Sequence, residues 1–324
     1  MHLPALYFQM NRALLIQRLF LKKKIIPFLS ELLQENDGSF DPPDLKKITD
    51  YYGLAVPAIL GEAFCILHDR RMSSHERFCI TATGSLSGLL DDFFDRKKLS
   101  DEYIQYLIDH PYEIEGKNTD EKIFLHFAGL ALRNSSQPDK LKCSASLVFE
   151  TQIRSRMQID KSIDLNEITN ITQQKGGEAF LFYLSAFDDI DDASMAIFFQ
   201  LGALMQFEND LFDIFKDFQE DIYTLATTAK NLDWLKNNYD AWVKKLFETV
   251  IQSEFKLKNK VMFLRYISIV ICRGQVCLDQ LINLPRSSCS HFELSEFTRN
   301  DLICDMEKPF NFLKMIHYYA NQNY

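Results

Sequence analysis

Apolar residues recur every three or four positions along most of this chain, which is the spacing that gives an α-helix one apolar face. Clusters of Asn, Asp, Gly, Ser and Pro, such as residues 36–43, interrupt this period and mark breaks between helices. We expect the first helix to bend at Pro27 and the last to be interrupted at Pro309, because proline lacks the N–H that an internal turn needs. The pattern predicts one helix that begins at residue 44, with no end assigned. It predicts further helices over residues 11–35, 56–71, 73–97, 101–109, 119–133, 138–159, 165–187, 193–218, 232–254, 256–283 and 302–321.

Three local features refine this prediction. Ser73 and Glu76 have the spacing of a capping box, so a helix is expected to begin there. Gly176 and Gly177 fall inside a helical pattern, where glycine is costly, so they mark a local break, a close approach to another group or a turn between helices. The acidic run at residues 188–192 lies between two apolar segments and is interpreted as a turn and N-cap rather than a metal site.

Composition supports an all-α fold for the whole chain. Only 11 Gly and 9 Pro occur in 324 residues, which argues against a β-sandwich or a disordered chain and for long helices. With 27 Phe and 13 Tyr, the chain has enough aromatic residues to fill a large core and to line an apolar cavity. Because no repeat or linker divides the sequence, we predict one all-α domain over residues 1–324, a single helical bundle around a deep apolar cavity.

Charge and cysteine usage limit the partners and the compartment. The net charge is −9 and no large basic tract occurs, so no nucleic-acid partner is expected. The seven cysteines are odd in number and scattered, which is typical of free buried thiols in a reducing compartment, so we expect a cytoplasmic protein. Neither a signal peptide nor an apolar run of ~18 residues is visible, so no transmembrane segment is expected. The first helix is expected to pack on the fold, with peripheral membrane contact as the alternative.

Three aspartates lie near the end of the helix predicted over residues 73–97. Asp91 and Asp95 are four positions apart and share one face, with Asp92 beside them. Carboxylates this close repel one another unless a multivalent cation neutralises them. Oxygen ligands without a nearby His or Cys suit Mg²⁺ or Mn²⁺ rather than zinc. The alternative is a solvated acidic helix end, which the helix dipole would oppose.

A second oxygen-rich stripe begins 118 residues after Asp91. Asn209, Asp213 and Asp217 are spaced i, i+4, i+8, so one helical stripe presents an amide and two carboxylates. Its neighbours are mostly aliphatic or Phe, unlike the Glu and Lys mixture of a solvated helix face. Two such stripes at the ends of two apolar helices are what a pocket needs to hold several Mg²⁺ ions against a diphosphate.

These motifs resemble those of the class I isoprenoid synthases, the all-α superfamily of terpene synthases and trans-prenyltransferases. Residues 91–95, Asp-Asp-Phe-Phe-Asp, resemble the first aspartate-rich motif of that superfamily. Residues 209–217 are similar to the second motif of terpene synthases, with Asp213 in place of Ser or Thr and Asp217 in place of Glu. When read from Gln206, the same stretch is similar to the second motif of prenyltransferases.

The resemblance covers roughly residues 60–225 and implies a mechanism. Residues 175–180, Lys-Gly-Gly-Glu-Ala-Phe, are similar to an element with which prenyltransferases contact diphosphate. The family mechanism implies three Mg²⁺ ions, for which Mn²⁺ can substitute, and a prenyl diphosphate whose carbon–oxygen bond ionises to an allylic cation. The implied catalytic residues are Asp91, Asp92, Asn209 and Asp213, and the implied metal ligands are these four together with Asp95 and Asp217.

Three cationic side chains are candidate contacts for the diphosphate. Lys175 is one because it begins the element that resembles the prenyltransferases. Arg96 is another, and its alternative role is to complement the C-terminal end of its helix. Arg154 is the third, and its alternative role is that of an exposed, ion-paired arginine.

Small residues before the first motif predict the floor of the cavity. Ser87 and Gly88 lie one turn before the aspartates, and Gly84 lies a further turn away on the same face. Small side chains there would leave room for the substrate tail. The alternative for the two glycines is that they let a neighbouring helix pack closely. Phe212, inside the second motif, is a further candidate for the cavity lining.

The sequence favours a terpene synthase, which cyclises or deprotonates the cation and releases diphosphate. Chain-elongating relatives carry a Gly-Lys-x-x-Arg-Pro element before the first motif and an Arg-Arg pair just after it. Here the corresponding regions read Asp-Arg-Arg-Met at 69–72 and Arg-Lys-Lys at 96–98. A trans-prenyltransferase, elongating with isopentenyl diphosphate or condensing head to head, is the alternative, and a non-catalytic helical protein that keeps the fold is a further one. A homodimer stays open, as do diphosphate contacts from residues 265–266 or 314–319.

Overall fold

The computed structural model describes residues 3–96, 99–284 and 292–321, without the side chain of Asp95. Within these residues all regular secondary structure is helical, which confirms the all-α fold. The α-helices are α1 (Leu3–Phe20), α2 (Ile26–Leu32), α3 (Pro42–Lys46), α4 (Tyr52–Ala55), α5 (Glu62–Leu67), α6 (Ser74–Asp95), α7 (Asp101–Asp109), α8 (Thr119–Asn134), α9 (Pro138–Ser155), α10 (Leu165–Leu184), α11 (Asp192–Phe212), α12 (Ile214–Gln219), α13 (Leu232–Gln252), α14 (Leu257–Ile282), α15 (Arg299–Leu302) and α16 (Pro309–Asn321).

Three π-helical turns join the early helices into two long stretches. Leu21–Ile25 joins α1 to α2, and the first stretch begins at Leu3, earlier than predicted. Pro27 lies in the first turn of α2, directly after this π-helical turn, so the irregularity of the stretch lies just before the proline, which cannot donate a helical hydrogen bond. Lys47–Tyr51 and Val56–Gly61 join α3, α4 and α5 into one stretch where the sequence predicted two helices.

By its internal packing the chain divides into two compact units. Unit 1 consists of Met1–Glu150 and Leu181–Ser194, and unit 2 consists of Thr151–Phe180 and Met195–Tyr324. A division into compact units is not by itself a division into domains, so the single domain over residues 1–324 stays a prediction. Each unit is described separately below.

In unit 1, α6 is the long helix that carries the first acidic motif. The capping box predicted for its first turn is confirmed: the Glu76 N–H donates to Oγ of Ser73 at 3.2 Å, and the Ser73 N–H donates to the Glu76 carboxylate at 2.7 Å. Helix α6 packs along α8, with the Phe93 and Phe124 rings 5.1 Å apart. The capping box holds the first turn of α6, and the contact of Phe93 with Phe124 holds its C-terminal end. The turn that carries Asp91 and Asp92 is therefore fixed in position.

In unit 2, glycines allow α10 and α11 to approach closely. A Cβ atom on Gly176 would lie 2.2 Å from the carbonyl oxygen of Gly202, and one on Gly177 would lie 2.3 Å from the Phe199 ring. Helix α10 runs through both glycines without a break, so neither a local break nor a turn describes them. The close crossing sets the side chains of α10 against the second acidic motif on α11.

The structure divides two of the later predicted helices. The helix predicted over residues 193–218 is interrupted at Asp213, which separates α11 from α12. The interruption predicted at Pro309 is confirmed: α15 ends at Leu302 and α16 begins at Pro309, because proline fits the first turn of a helix and not its interior.

The acidic run before α11 behaves as predicted, as a turn and a cap. Asp189 has a φ of 57°, a turn conformation that Asp tolerates better than most residues. The Asp191 carboxylate accepts the N–H of Ser194 at 2.6 Å, which is the geometry of an N-cap.

Two stretches, Pro42–Leu67 and Leu257–Ile282, are long and apolar enough to cross a membrane, although most of each is buried inside the fold. Buried core helices share these features, so the absence of a transmembrane segment stays a prediction.

Six cysteines fall in the described residues and are free thiols; five are buried as expected, but Cys143 is exposed. Cys289 lies outside the described residues.

Candidate functional site

The first acidic cluster lies at the C-terminal end of α6 in unit 1. Asp92 is only 4 % exposed, and Asp91 is half-buried. Phe93 and Phe94 between the aspartates are both buried and anchor this turn in the core. Asp95 is the last residue of α6, and the atoms that would make it a metal ligand lie outside what the structure describes.

Asp92 is a buried carboxylate with one neutralised and one unpartnered oxygen. Its Oδ1 is paired with the Lys47 ammonium and lies 3.4 Å from Nη1 of Arg96. Within the described residues, its Oδ2 is buried and accepts no hydrogen bond. A buried carboxylate oxygen without a partner is costly, and a hard cation would satisfy it. The chemistry of Asp91 and Asp92 therefore fits Mg²⁺, with Lys47 as a competitor for the same carboxylate.

Arg96 belongs to a surface cluster of charges beside Asp92. Its guanidinium donates to Asp44 at 2.6 Å and to Asp41 at 2.5 Å. Asp41 and Asp44 also form the capping box of α3, so Arg96 links the end of α6 to the start of α3. In this arrangement Arg96 serves as a structural cation, and it would reach a diphosphate only by leaving these carboxylates.

Asp91 is approached from the neighbouring helical stretch by a tyrosine. The hydroxyl of Tyr52 donates to Oδ2 of Asp91 at 3.4 Å. The negative charge of Asp91, together with burial, raises the pKa of Tyr52 well above its usual value. Tyr52 therefore stays protonated and acts as a neutral donor to this carboxylate.

The second acidic cluster lies where α11 ends in unit 2. The backbone N–H of Asp213 donates to the carbonyl of Asn209, and the N–H of Asp217 donates to the carbonyl of Asp213, both at 2.9 Å. Helical hydrogen bonding thus continues across the interruption and keeps the predicted stripe in register. The Asn209 side-chain amide donates to Oδ2 of Asp213 at 3.3 Å, so these two candidate ligands touch.

Asp210 is buried at the base of this cluster. Its carboxylate accepts hydrogen bonds from the Gln206 amide at 2.8 Å and from the Thr172 hydroxyl at 3.1 Å. Burial nevertheless raises the pKa of Asp210 to about 6. Its two donors hold the carboxylate still, and since both its oxygens are occupied we place it behind the ligands rather than among them.

Asp217 is buried close to two other carboxylates of the cluster, and this environment raises its pKa. It is 8 % exposed, and burial, followed by repulsion from Asp210 and Asp213, raises its pKa to about 7. Groups with pKa values shifted by burial and like charge are typical of functional sites. A cation bound to these oxygens would relieve both effects, so the oxygen-only donor set of this cluster fits Mg²⁺.

The neighbouring Glu208 is a core residue rather than part of the cluster. Its carboxyl group is fully enclosed and accepts the Gly274 N–H at 2.9 Å and the Tyr239 hydroxyl at 3.1 Å. Burial raises its pKa to about 7. Glu208 and Asp210, two positions apart on α11, thus have different roles because they point to different sides of the helix.

Of the candidate diphosphate contacts in unit 2, Lys175 lies near the second cluster and Arg154 is engaged elsewhere. The Lys175 ammonium is close enough to lower the pKa of both Asp210 and Asp217, and it has no ion pair of its own among the described residues. Arg154 is exposed and forms a two-pronged ion pair with Glu167, at 2.9 and 3.1 Å. The alternative role given to Arg154, that of an ion-paired surface residue, describes it best.

A narrow apolar cavity lies within unit 1 beside α6. Its empty volume is about 510 Å³ when the open mouth is included. Ser87, one turn before Asp91, is part of the wall, and Lys142 is the one charged side chain in the lining. The remaining lining residues are apolar: Leu86, Leu90, Ile108, Phe124, Ala128, Leu132, Leu141, Ala145, Val148 and Phe182.

The other predicted lining residues do not face this cavity. A Cβ atom on Gly84 would lie 3.0 Å from the carbonyl oxygen of Tyr52, and one on Gly88 would lie 2.8 Å from the Tyr52 ring. Neither glycine is part of the cavity lining, and the alternative given for both, close packing of a neighbouring helix, describes their contacts. Phe212 lies in unit 2, where Arg273 stacks over its ring at 5.1 Å.

Sequence reasoning missed several side chains that shape the two clusters. Lys47 and Thr172 lie far along the chain from the aspartates they contact, and no local pattern marks them. Gln206 was noted as part of a motif, and its hydrogen bond to Asp210 was detectable, because an i, i+4 pair of Gln and Asp on a helix favours one. Glu178, in the element that begins at Lys175, was given no role; its Oε2 is buried without a partner among the described residues, and burial raises its pKa.

We expect Lys47→Met to change metal binding and stability in opposite directions. Without metal, the variant should lose about 2 kcal/mol of unfolding free energy, because Arg96 is then the one ion-pair partner of the buried Asp92 within the part of the chain that the structure describes. With MgCl₂ its melting temperature should rise more than that of the wild type, because the cation no longer competes with an ammonium group. Thermal denaturation with and without Mg²⁺ measures both effects.

The neighbouring Lys46→Met is the matched control, since Lys46 is exposed. It should resemble the wild type under both conditions. An equal response of the Lys47 variant and the wild type to Mg²⁺ would mean that Asp92 binds no metal.

No family model matches the chain, and a search of curated proteins finds no match to it. In the described residues, no three His, Cys, Asp or Glu side chains are grouped closely enough to form a metal site by themselves. Mg²⁺ sites commonly use only one or two carboxylates together with substrate phosphates, so each cluster would need oxygens from a ligand to complete its coordination.

Proposed function

We propose that this protein is a Mg²⁺-dependent class I terpene synthase that ionises a linear prenyl diphosphate and cyclises or deprotonates the resulting carbocation. The observation that carries the proposal is the second cluster, where an amide and two carboxylates share one helical stripe beside the buried Asp210. Burial and repulsion from Asp210 and Asp213 raise the pKa of Asp217 to about 7. A bound cation would relieve the burial and repulsion that raise this pKa. The resemblance of both acidic motifs to those of the superfamily supports the identity of the substrate.

In this proposal the clusters hold the metal and the anionic end of the substrate. Asp91, Asp92 and Asp95 are ligands on one motif, and Asn209, Asp213 and Asp217 are ligands on the other. Bound Mg²⁺ would neutralise the diphosphate as a leaving group. Lys175 adds a positive charge beside the second cluster, and Asp210, held by Gln206 and Thr172, keeps the stripe rigid.

The cavity in unit 1 is proposed to hold the hydrocarbon tail. Its walls offer Phe124 and Phe182, whose ring faces stabilise positive charge, and they exclude water that would quench a cation. Ser87 adds a hydroxyl, although it donates to the carbonyl of Thr83 at 3.2 Å. An apolar wall with few nucleophiles suits a reaction that must keep a carbocation from water.

Trans-prenyltransferase activity is the second candidate. It is favoured by the hydrogen bond from Gln206 to Asp210, because the spacing of these residues is that of the prenyltransferases' second motif. Cytoplasmic localisation and a homodimer accompany either candidate as predictions.

We expect one allylic diphosphate to be a sufficient substrate. Purified protein with Mg²⁺ should release inorganic diphosphate and a hydrocarbon from a prenyl diphosphate of suitable length, and EDTA should stop this turnover. The same incubation with isopentenyl diphosphate separates the candidates. A product that appears only with isopentenyl diphosphate would assign the protein to the prenyltransferases. No turnover of any chain length, with the protein folded, would favour a non-catalytic role.

A further inference from the structure

The first helix directs an apolar stripe to solvent. In α1, Phe8 is 71 % exposed, Leu15 58 % and Leu19 46 %. At ~100° per residue these three side chains lie within roughly 40° of one another, at the middle of the exposed side of the helix. Tyr7 and Ile16 are exposed beside them. A solvated helix normally places charged residues at this position. We call this side of α1, with Tyr7, Phe8, Leu15, Ile16 and Leu19, the α1 face. Its apolar side chains indicate a surface that binds a partner.

The orientation of α1 is fixed from its opposite side. Gln17 is completely buried, and its amide donates to the carbonyl of Gly53 at 2.8 Å and to the hydroxyl of Thr81 at 2.9 Å. The Arg77 guanidinium in turn donates to Oε1 of Gln17 at 2.9 Å. A buried amide held by three hydrogen bonds is costly to withdraw, so α1 cannot roll to hide its apolar stripe.

Positive charge borders the α1 face. Residues 1–30 contain no Asp or Glu, whereas the whole chain has a net charge of −9. The helical spacing puts Arg12 on one edge of the stripe and Arg18 on the other, and three lysines follow at its C-terminal end. All five cations are exposed, and none has an ion pair among the described residues: Arg12, Arg18, Lys22, Lys23 and Lys24.

We propose that the α1 face binds the surface of a lipid bilayer that contains anionic lipids. The apolar stripe enters the boundary between headgroups and acyl chains, and the bordering cations contact lipid phosphates. The helix lies along the bilayer, because its other side is held by the buried Gln17. This assignment rests on α1 alone and does not depend on the proposed chemistry of the acidic clusters.

Charge argues against a second copy of this chain as the partner. Two α1 faces packed together would set five cations against five cations without acidic residues to pair with them. Helix α16 exposes a comparable apolar pair, Phe310 and Leu313, but there Lys314 is paired with Asp279 at 2.9 Å. Of these two exposed apolar surfaces, the α1 face therefore has the charge that complements an anionic bilayer.

Co-sedimentation of the full chain with vesicles tests the apolar contribution. The wild type should pellet with vesicles of phosphatidylcholine and phosphatidylglycerol, less so at high salt, and not with phosphatidylcholine alone. The triple variant Phe8→Ser, Leu15→Ser, Leu19→Ser should lower the binding constant at least about tenfold. The matched control Phe310→Ser, Leu313→Ser alters equally exposed residues and should bind like the wild type.

A second pair of variants tests the charge contribution. Replacing Lys22, Lys23 and Lys24 by Gln should weaken binding about tenfold or more, because each lysine attracts anionic lipid. The charge-matched control replaces Lys140, Lys258 and Lys308, which are exposed on other helices or loops, and should bind like the wild type. All the substituted side chains are exposed, so the helical circular dichroism and melting temperature of every variant should stay unchanged.

Three outcomes would overturn the proposal. The first is that the wild type fails to pellet with the anionic vesicles, and the second is that the serine triple variant pellets as well as the wild type. The third is a wild-type dimer in sedimentation velocity that dissociates in the serine triple variant without any vesicle binding, which would assign the α1 face to a second copy of the chain. Prenyl diphosphate turnover is measured separately in solution, so failure of one proposal leaves the other standing.

Discussion

Asn209→Ala and Asp213→Ala are each expected to lower the rate of diphosphate release from a prenyl diphosphate by about a hundredfold to a thousandfold. Each substitution removes an oxygen ligand from the second cluster, and loss of one group that stabilises developing charge has effects of this size. The fold should survive both changes, because Asn209 is exposed, Asp213 is half-buried and their mutual hydrogen bond is long, at 3.3 Å. Steady-state kinetics with coupled detection of diphosphate measure the effect.

Glu220→Ala is the matched control for this experiment. Glu220 is an exposed acidic residue just beyond the motif, and its ion pair with Lys216 is weak, at 4.0 Å. It should turn over like the wild type. If Asn209→Ala and Asp213→Ala also kept the wild-type rate, the second cluster would not be the metal site and the proposed function would lose its main support.

Ser87→Phe is expected to shift the preferred substrate toward shorter prenyl diphosphates. Ser87 is part of the cavity wall one turn before Asp91, and a phenyl ring there would occupy space needed by the last five-carbon unit of a long tail. Burial of one methylene contributes ~0.8 kcal/mol, so a displaced five-carbon unit costs about 4 kcal/mol, or close to a thousandfold in kcat/KM. Kinetics with substrates that increase in five-carbon steps give the profile.

Two further variants make this result interpretable. Ala145→Phe fills the same cavity from α9 and should shift the profile in the same direction, even if Ser87→Phe is poorly folded. Leu147→Phe adds volume at an exposed position on α9 outside the cavity lining and should leave the profile unchanged. An unchanged length profile in folded Ser87→Phe and Ala145→Phe would place the tail elsewhere.

Features that depend on neighbours three or four residues apart were predictable from the sequence. The capping box of Ser73 and Glu76 and the register of Asn209 with Asp213 follow from helical spacing alone, since both partners belong to the same turn. The same reasoning identified Asp191 as part of a turn and cap rather than a metal site. Local spacing failed at Asp213 itself, where α11 ends although the apolar pattern continues.

The electrostatic environment of the aspartates depended on distant parts of the chain. Lys47 pairs with Asp92 across 45 residues, and Thr172 donates to Asp210 across 38 residues. Neither contact leaves a periodic trace, because each depends on how one helix packs against another. Without knowledge of these two contacts, the sequence predicted metal ligands but could not assign Asp210 to a supporting role. It also could not show that the Lys47 ammonium group already neutralises one oxygen of Asp92.

The sequence by itself determined that the chain is helical, where most helices lie and which faces carry carboxylate and amide side chains, because these properties arise within single turns. Tertiary structure decided which small residues enclose space and which fill it. Ser87, Gly84 and Gly88 are equally small in the sequence, yet Ser87 lines the cavity while both glycines contact Tyr52. A small side chain shows only that space is available beside its helix. Whether that space stays open or is filled depends on the direction from which another helix approaches.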